Sequence, residues 1–386
     1  MIPLSIPTIQ GNEWKYIKEC LDTNWVSSAG KYVDTFENNI ADYVKAKYAV
    51  AVVNGTAGLQ LALRLVGLQY DEEVIVPTIT FIAPVNAVRY FNAYPVFMDA
   101  EKYYNMDIEK SIEFIEDETV FKNGFSYNKK SKRLIRAIIP VHVFGNPVDL
   151  KELVTLCNER NIKIIEDSTE SLGSYYFADY FENTSAKVRY TGTIGDIGVF
   201  SFNGNKIITT GGGGMFVTNN PEYAEKAKYL STQAKDDGLR YIHDEVGYNF
   251  RMTNIQAAMG VAQLELIDEF IYKKTNNYML YKSWINEIPG LTIAETPNYG
   301  ESNYWYYCLQ IKKESYGKVK EELMKYLNDN GIQTRPVWYP NHLQKPFKDF
   351  QNYKIEKANE LWENTLNIPC SVDLKEEDVR KIISKL

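Results

Sequence analysis

The sequence predicts an α/β fold: a large domain built on a mostly parallel sheet, with a smaller unit behind it. Two observations carry this. Between residues 48 and 218, apolar, β-branched runs of strand length alternate with helical stretches; continuous apolar runs mark strands buried on both faces, the signature of parallel sheets with helical crossovers. The chain also has 386 residues, more than one average domain holds.

The elements follow in order. Residues 1–28 are a lead-in segment: Pro3 and Pro7 exclude a regular helix at its start, 13–21 reads as helical and 25–30 as a loop. The large domain spans 29–264. After a helix at 33–43, seven strands are expected at 48–53, 73–76, 94–98, 137–143, 162–166, 197–202 and 215–218. Helices at 59–66, 81–90, 107–115 and 150–157 connect them. Two excursions interrupt the alternation. Residues 118–133 carry Asn123-Gly124, a hairpin signal, and 175–193 is aromatic and polar. Pro221 suits the first turn of a helix. Thr253-x-x-Gln256 is a capping box ahead of one long helix ending before Pro289. That helix leads into a smaller α+β domain, 265–386, with a strand near 304–311 and helices near 317–330 and 358–362.

Composition narrows the function. The chain is 45% apolar and 24% charged, with net charge −7, which describes a globular protein and argues against nucleic acid or an anionic membrane as partner. Lys129, Lys130, Lys132 and Arg133 read as a solvated hairpin tip rather than a binding patch. Cys20, Cys157, Cys308 and Cys370 show no CxxC spacing, and there are three histidines. No metal site or disulfide framework is expected, and a reducing cytoplasm fits. Neither a signal pattern nor a run of membrane-spanning length is visible.

Four features carry chemistry. Ser201-Phe202-Asn203-Gly204-Asn205-Lys206 leaves a buried strand through a polar turn, and Gly211 to Gly214 follow. A lysine set among Ile207, Ile208 and glycines is desolvated, which favours the neutral amine that attacks aldehydes; a glycine turn beside a surface lysine is the plain alternative. Asn54-Gly55-Thr56-Ala57-Gly58 joins a strand to a helix, and small residues there free backbone N–H groups for a phosphate. It also reads as an ordinary turn. Glu166-Asp167-Ser168-Thr169-Glu170 leaves a strand at the sheet edge where ligands bind, or caps the next segment. Phe81 could stack on a flat ring or fill the core. Together, an amine, a phosphate cradle, a carboxylate and an aromatic are what a pyridoxal phosphate site needs.

These stretches resemble the sugar-nucleotide aminotransferases of the DegT/DnrJ/EryC1/StrS family. The resemblance runs nearly end to end, through Asn54-Gly55-Thr56-Ala57, Pro77-Thr78-x-Thr80-Phe81-x-Ala83, Pro140-Val141-His142-x-Phe144-Gly145, Glu166-Asp167, Gly192-Thr193-x-Gly195-Asp196, Ser201-Phe202, Lys206 and Gly247-Tyr248-Asn249-x-Arg251. It implies the type I, aspartate-aminotransferase fold, a homodimer, and pyridoxal 5′-phosphate as cofactor. By position, Lys206 is the lysine that binds the cofactor and shuttles the proton. Asp167 pairs with the pyridine nitrogen, Glu170 lies near the ring hydroxyl, and Phe81 stacks on the ring. Gly55, Thr56 and Ser201 hold the phosphate, and Asn249 reaches in from the partner subunit.

A lysine at 206, where dehydrating members have histidine, implies a transaminase. The stretches 166–176, 203–210 and 231–234 look like a bacterial branch that aminates C4 of a UDP- or GDP-linked 4-keto-6-deoxy-N-acetylhexosamine, on routes to legionaminic acid or bacillosamine, with L-glutamate as donor in a ping-pong reaction. An enzyme acting at C3 or on a dTDP-sugar is the alternative within the fold; a pyridoxal phosphate-binding sensor without turnover is the alternative outside it. Arg335 and His342 are candidates to touch substrate, with a structural role as the alternative. Two departures stand out: Gly211-Gly212-Gly213-Gly214 replaces a Gly-Glu-Gly-Gly pattern, and the 175–193 excursion is long.

Overall fold

A computed structural model describes residues 1–181 and 188–386. Its central sheet contains, in chain order, β1 (Tyr48–Val52), β2 (Glu73–Pro77), β3 (Tyr94–Met98), β4 (Ile135–Ile138), β5 (Lys163–Asp167), β6 (Ile197–Ser201) and β7 (Gly214–Thr218). Across the sheet the order is β1, β7, β6, β5, β4, β2, β3. β7 runs antiparallel to both β1 and β6, and the pairs from β6 to β3 are parallel. The seven expected strands are present. An eighth, Asn352–Tyr353, adds parallel to β3; two polar-edged residues give no apolar run by which to read it.

Alternate strand residues face opposite layers. Val50, Val74, Val76 and Val199 pack with the helices Gly55–Leu65, Ala83–Tyr90 and Pro221–Ser231. On the other face, Ala51 and Phe200 meet Lys31–Val44 and Asn254–Leu264, while Ile75 and Ile164 meet Ile108–Asp117 and Lys151–Arg160. Every residue of β2 and β7 is buried, which is why these strands read as unbroken apolar runs.

The helix expected to run from the capping box to Pro289 is two helices, Asn254–Leu264 and Ile267–Ile285. The box itself forms at Thr253 and Gln256. The break falls at Glu265, whose carboxylate accepts bonds from Asn12 Nδ2 and Tyr16 OH, both at 2.7 Å. Ile267 and Phe270, just past the break, still join the large core with Ala257, Ala258 and Val261; Tyr278, Tyr281 and Ile285, further along the second helix, join a separate one.

That separate core lies against a four-stranded antiparallel sheet, ordered Leu291–Ile293, Tyr307–Ile311, Thr365–Ile368, Arg335–Pro336. The chain start is tied to it: Ile2 N–H donates to Gly331 O and Cys370 N–H to Leu4 O, both at 2.7 Å. Asp99, just past β3, docks the C-terminal segment. Its carboxylate accepts from the backbone N–H groups of Glu356, Lys357 and Ala358 at 3.0, 3.0 and 2.8 Å, and from Lys110 Nζ at 2.7 Å. It thereby caps the helix Lys357–Asn364 from across the fold.

The 118–133 excursion is a hairpin, Thr119–Lys122 with Phe125–Asn128, turning at Asn123 and Gly124 with φ of +52° and +80°. Because that Asn-Gly turn is the tip, the basic cluster falls on the following turn instead. There Lys129 Nζ reaches Asp117 O and Arg133 Nε donates to Asp71 Oδ1 at 2.8 Å. In the second excursion Tyr175–Phe177 pairs with Val188–Tyr190 and with Gly300–Glu301; its middle, 182–187, lies outside the described residues. Among the described residues, no helix is long and apolar enough to cross a membrane.

Candidate active site

The carboxyl ends of β1, β2, β5 and β6 open onto one cavity of about 710 Å³. Lys206, Asp167, Glu170, Gly55, Thr56, Phe81 and Ser201 all line it. The sheet edge thus brings together residues up to about 150 positions apart, as open α/β sheets do at their ligand crevice.

The helix Gly55–Leu65 begins at this edge because Asn54 Oδ1 caps it, accepting from Ala57 N–H at 2.8 Å. Its first N–H groups, on Gly55 and Thr56, have no partner within the helix and form an anion site. A side chain at 55 would fill that cradle: a Cβ there would lie 2.9 Å from Thr169 Cγ2 and 3.1 Å from Ser201 Cβ. The Ser201 hydroxyl borders the same space.

Asp167 and Glu166 end β5 and point to opposite faces. Glu166 is structural. Its carboxylate accepts from the N–H groups of Gly192, Ile194 and Gly195 at 2.6–2.8 Å and from His142 Nε2 at 2.9 Å. His142 Nδ1 accepts from Val148 N–H at 3.0 Å, so the ring proton sits on Nε2 and is donated to Glu166. Burial works to raise the Glu166 carboxyl, but these donors outweigh it and hold it below the usual carboxylate range. Asp167 instead faces the cavity and accepts Thr169 N–H at 3.1 Å. Burial raises its carboxyl above the ordinary value; the Thr169 bonds and the Lys206 charge offset this in part.

Lys206 closes a turn through its N–H to Asn203 O at 2.9 Å, and the buried Ile207 and Ile208 anchor it. Burial pulls its amine below the ordinary lysine value, the direction expected from its apolar neighbours. Its Nζ lies 4.0 Å from Glu170 Oε1. Burial pushes the Glu170 carboxyl up to about 8 against the Lys206 charge, while Glu170 Oε2 accepts Phe144 N–H at 2.8 Å. An amine and an acid with opposed shifts, in contact, suit proton transfer near neutral pH.

Phe81 is 56% exposed; it lines the cavity wall and is not a core residue. Asn249 pairs with Thr232 through its backbone and is not in this chain's cavity wall. Arg335 lines the cavity, whereas His342 is buried and bonded through Nδ1 to Thr78 Oγ1 at 2.7 Å, a structural tie. Gly212, within the glycine run, reaches the cavity while its carbonyl accepts Gln256 Nε2 at 2.8 Å.

Sequence reasoning missed the aromatic wall, Trp305, Tyr306 and Trp338, that faces the lysine turn. Trp305 lies with its ring centroid 3.9 Å from Lys206 Nζ. The only signal was the aromatic run Tyr304 to Tyr307, which reads as strand core.

Comparison with known proteins agrees with this geometry. The model of the DegT/DnrJ/EryC1/StrS aminotransferase family matches residues 7–386. GDP-perosamine synthase of Escherichia coli O157:H7 is 38% identical over 379 residues, covering 98% of this chain and 95% of that protein. EpsN of Bacillus subtilis strain 168, whose name describes a pyridoxal phosphate-dependent aminotransferase, is 34% identical and covers 100% and 95%. The crystal structure of the aminotransferase TlmJ from Streptoalloteichus hindustanus superposes with a TM-score of 0.85 at 26% identity, covering 100% of this chain and 97% of that one.

Proposed function

From the premise that this chain belongs to the DegT/DnrJ/EryC1/StrS aminotransferase family, we propose that it transfers the amino group of L-glutamate to C4 of a GDP-linked 4-keto-6-deoxy sugar. Membership makes it a pyridoxal phosphate-dependent sugar-nucleotide aminotransferase, and so an enzyme rather than a sensor. The choice of GDP over UDP is supported by the relative named GDP-perosamine synthase. The UDP-linked N-acetylhexosamine of the legionaminic acid and bacillosamine routes is the competing substrate.

The cavity fits the cofactor by the chemistry of its donors. A dianionic phosphate suits the Gly55 and Thr56 N–H groups with the Ser201 hydroxyl, and the space a Cβ at Gly55 would fill. Phe81 offers a ring face, and the buried Asp167 carboxylate suits a ring cation. When bound, pyridoxal phosphate supplies an aldehyde for amines and a ring that accepts electrons. Lys206 Nζ is the nucleophile toward that aldehyde, its neutral form favoured by burial. The same Nζ would take and return the proton at the amino-bearing carbon of glutamate and then of the sugar. Glu170, 4.0 Å away, is the carboxyl neighbour of that amine.

We further take the active form to be a homodimer in which Asn249 completes the partner's site. Support comes from the segment leading to Asn249: Leu239, Tyr241 and Val246 are 85%, 74% and 83% exposed, an apolar surface that a second copy would cover.

The observation that carries the reading is a buried lysine paired with a carboxylate beside an anion cradle in one cavity. The test is the visible spectrum before and after glutamate, followed by chromatography of the product with GDP- and UDP-linked 4-keto sugars. A yellow band bleached by glutamate, and amination of the GDP-sugar, are expected. Absence of the band overturns the site; amination of the UDP-sugar alone overturns the nucleotide.

A further inference from the structure

The strand Tyr307–Ile311 of the small sheet begins just after two aromatic residues that reach across to the lysine turn. Trp305 Nε1 donates to Asn205 O at 2.6 Å, so the indole grips the peptide immediately before Lys206. Tyr306 OH accepts Asn205 Nδ2 at 3.3 Å and holds that residue's side chain. The Trp305 ring centroid then lies 3.9 Å from Lys206 Nζ. The ring is itself fixed. It is buried, it packs against Tyr306 at 4.2 Å between centroids and against Trp338 at 6.3 Å, and Phe144 stacks on Trp338 at 4.7 Å.

We propose that Trp305 is a positioning residue for Lys206: its N–H fixes the turn that carries the lysine, and its π face holds the ε-amine over the cavity and stabilises the ammonium form. This rests on Lys206 being the reactive amine. The physical content is a balance. Burial drives the amine toward neutrality. An ammonium over an indole face is attracted by the ring quadrupole, most strongly where water is excluded. The other groups acting on Nζ are Glu170 and Asp167, which favour the ammonium. On the Trp305 side stand the Tyr306 phenol and, beyond it, the Arg335 guanidinium, which acts on that phenol. With the ring in place, burial does not act on Lys206 alone, and both protonation states stay accessible to a group that gives and takes one proton. A side chain without a π face would leave burial opposed by Glu170 and Asp167 alone.

The test compares Trp305→Met and Trp305→Phe with the native full chain, freed of cofactor. Each is acylated over a pH series with a trace of acetic anhydride, and modification at Lys206 is quantified by peptide mass spectrometry. The midpoint gives the protonation equilibrium of that one amine, and the plateau gives its accessibility. Methionine loses the face and the N–H and is smaller, so the midpoint should fall by about half a unit to one unit, and by more than in the phenylalanine variant, which shares the loss of the N–H. Phenylalanine keeps a face and loses the N–H, so the midpoint should move less while the plateau changes as the turn loosens. A midpoint for Trp305→Met equal to or above the native one overturns the proposal. Should Trp305→Met not fold, judged by near-ultraviolet circular dichroism, the Phe variant decides alone: an unchanged midpoint and an unchanged plateau together overturn it. If native Lys206 titrates like an ordinary surface lysine, the underlying assignment of the reactive amine fails instead.

Discussion

Replacing Gly55 by alanine separates the cofactor cradle from the stability of the helix that forms it. The added Cβ would stand 2.9 Å from Thr169 Cγ2, 3.1 Å from Ser201 Cβ and 3.4 Å from Ser201 Oγ. Each neighbour must give way by a few tenths of an ångström, and both belong to the cavity wall. Overpacking of this kind costs about 1–3 kcal/mol, partly offset because alanine is the better helix former by up to about 1 kcal/mol. The net cost to folding is therefore about 0–3 kcal/mol. Cofactor affinity should fall separately, because displacing the Ser201 hydroxyl forfeits a hydrogen bond to a charged group, worth about 1.5–3 kcal/mol, or roughly ten- to a hundred-fold in affinity. The assay is a titration of the cofactor-free protein with pyridoxal 5′-phosphate, followed by the visible band, beside a thermal melt. Gly58→Ala is the control. Its Cβ would stand 2.7 Å from Val199 Cγ1, in the core, so it should lower the melting temperature without a matching loss of affinity. If folded Gly55→Ala binds the cofactor within about two-fold of the native protein, the phosphate is held elsewhere and the reasoning fails.

Lys206→Ala should abolish turnover and remove the visible band while leaving the melting temperature of the cofactor-free protein unchanged or higher, since a buried amine is lost; retained transamination would remove Lys206 from the mechanism. Asp99→Ala should cost about 2–4 kcal/mol in urea unfolding, because three backbone N–H groups and Lys110 lose their acceptor. Burial works to raise the Asp99 carboxyl, but its donors hold it below the ordinary 3.8. Its contribution is therefore present above that value and lost as pH falls through the lower folded value, and the variant should show a shallower acid limb. Glu166→Gln should speed amide exchange at Gly192, Ile194 and Gly195, whose acceptor it weakens; unchanged exchange would deny Glu166 its structural role. Finally, light scattering should give twice 44.5 kDa. Mixing Asn249→Ala with Lys206→Ala chains should restore about a quarter of native activity, since half of the random dimers are mixed and each has one intact site of two; no restoration would mean that sites are not shared.

The parts of this molecule that could be read from its sequence are those whose cause is local. β3 was expected at the residues where it lies, because a β-branched, aromatic run between turns has little else to become. The residues at the ends of β1, β2, β5 and β6 were legible because a motif at a strand end needs only the strand to place it. The helix Gly55–Leu65 was expected four residues late, since Asn54 to Gly58 has the composition of a turn. It starts early because Gly55 and Gly58 let it approach Ser201 and Val199 more closely than any side chain would allow. What has a distant cause stayed hidden. The Glu265 carboxylate at the break is bonded by Asn12 and Tyr16, some 250 positions away, and the strand Asn352–Tyr353 pairs with β3 beside the segment that Asp99 fastens.

The same division explains why the cavity is chemically unbalanced by its sheet-edge residues alone. That edge buries two carboxylates and one amine, and burial moves all three toward neutrality: Asp167 and Glu170 upward, Lys206 downward. Left to the large domain, Lys206 would have only Glu170 and Asp167 to favour its charged form against burial. The second wall, Trp305 and Tyr306, arrives from about a hundred positions later in the chain. It fixes Asn205 from two sides and lays a π face against Nζ, which favours the charged state that burial opposes. The small sheet is therefore more than a cover for the crevice. By holding the strand that follows Trp305 and Tyr306, it places both residues against the turn that carries Lys206, the group proposed to attack and to carry a proton.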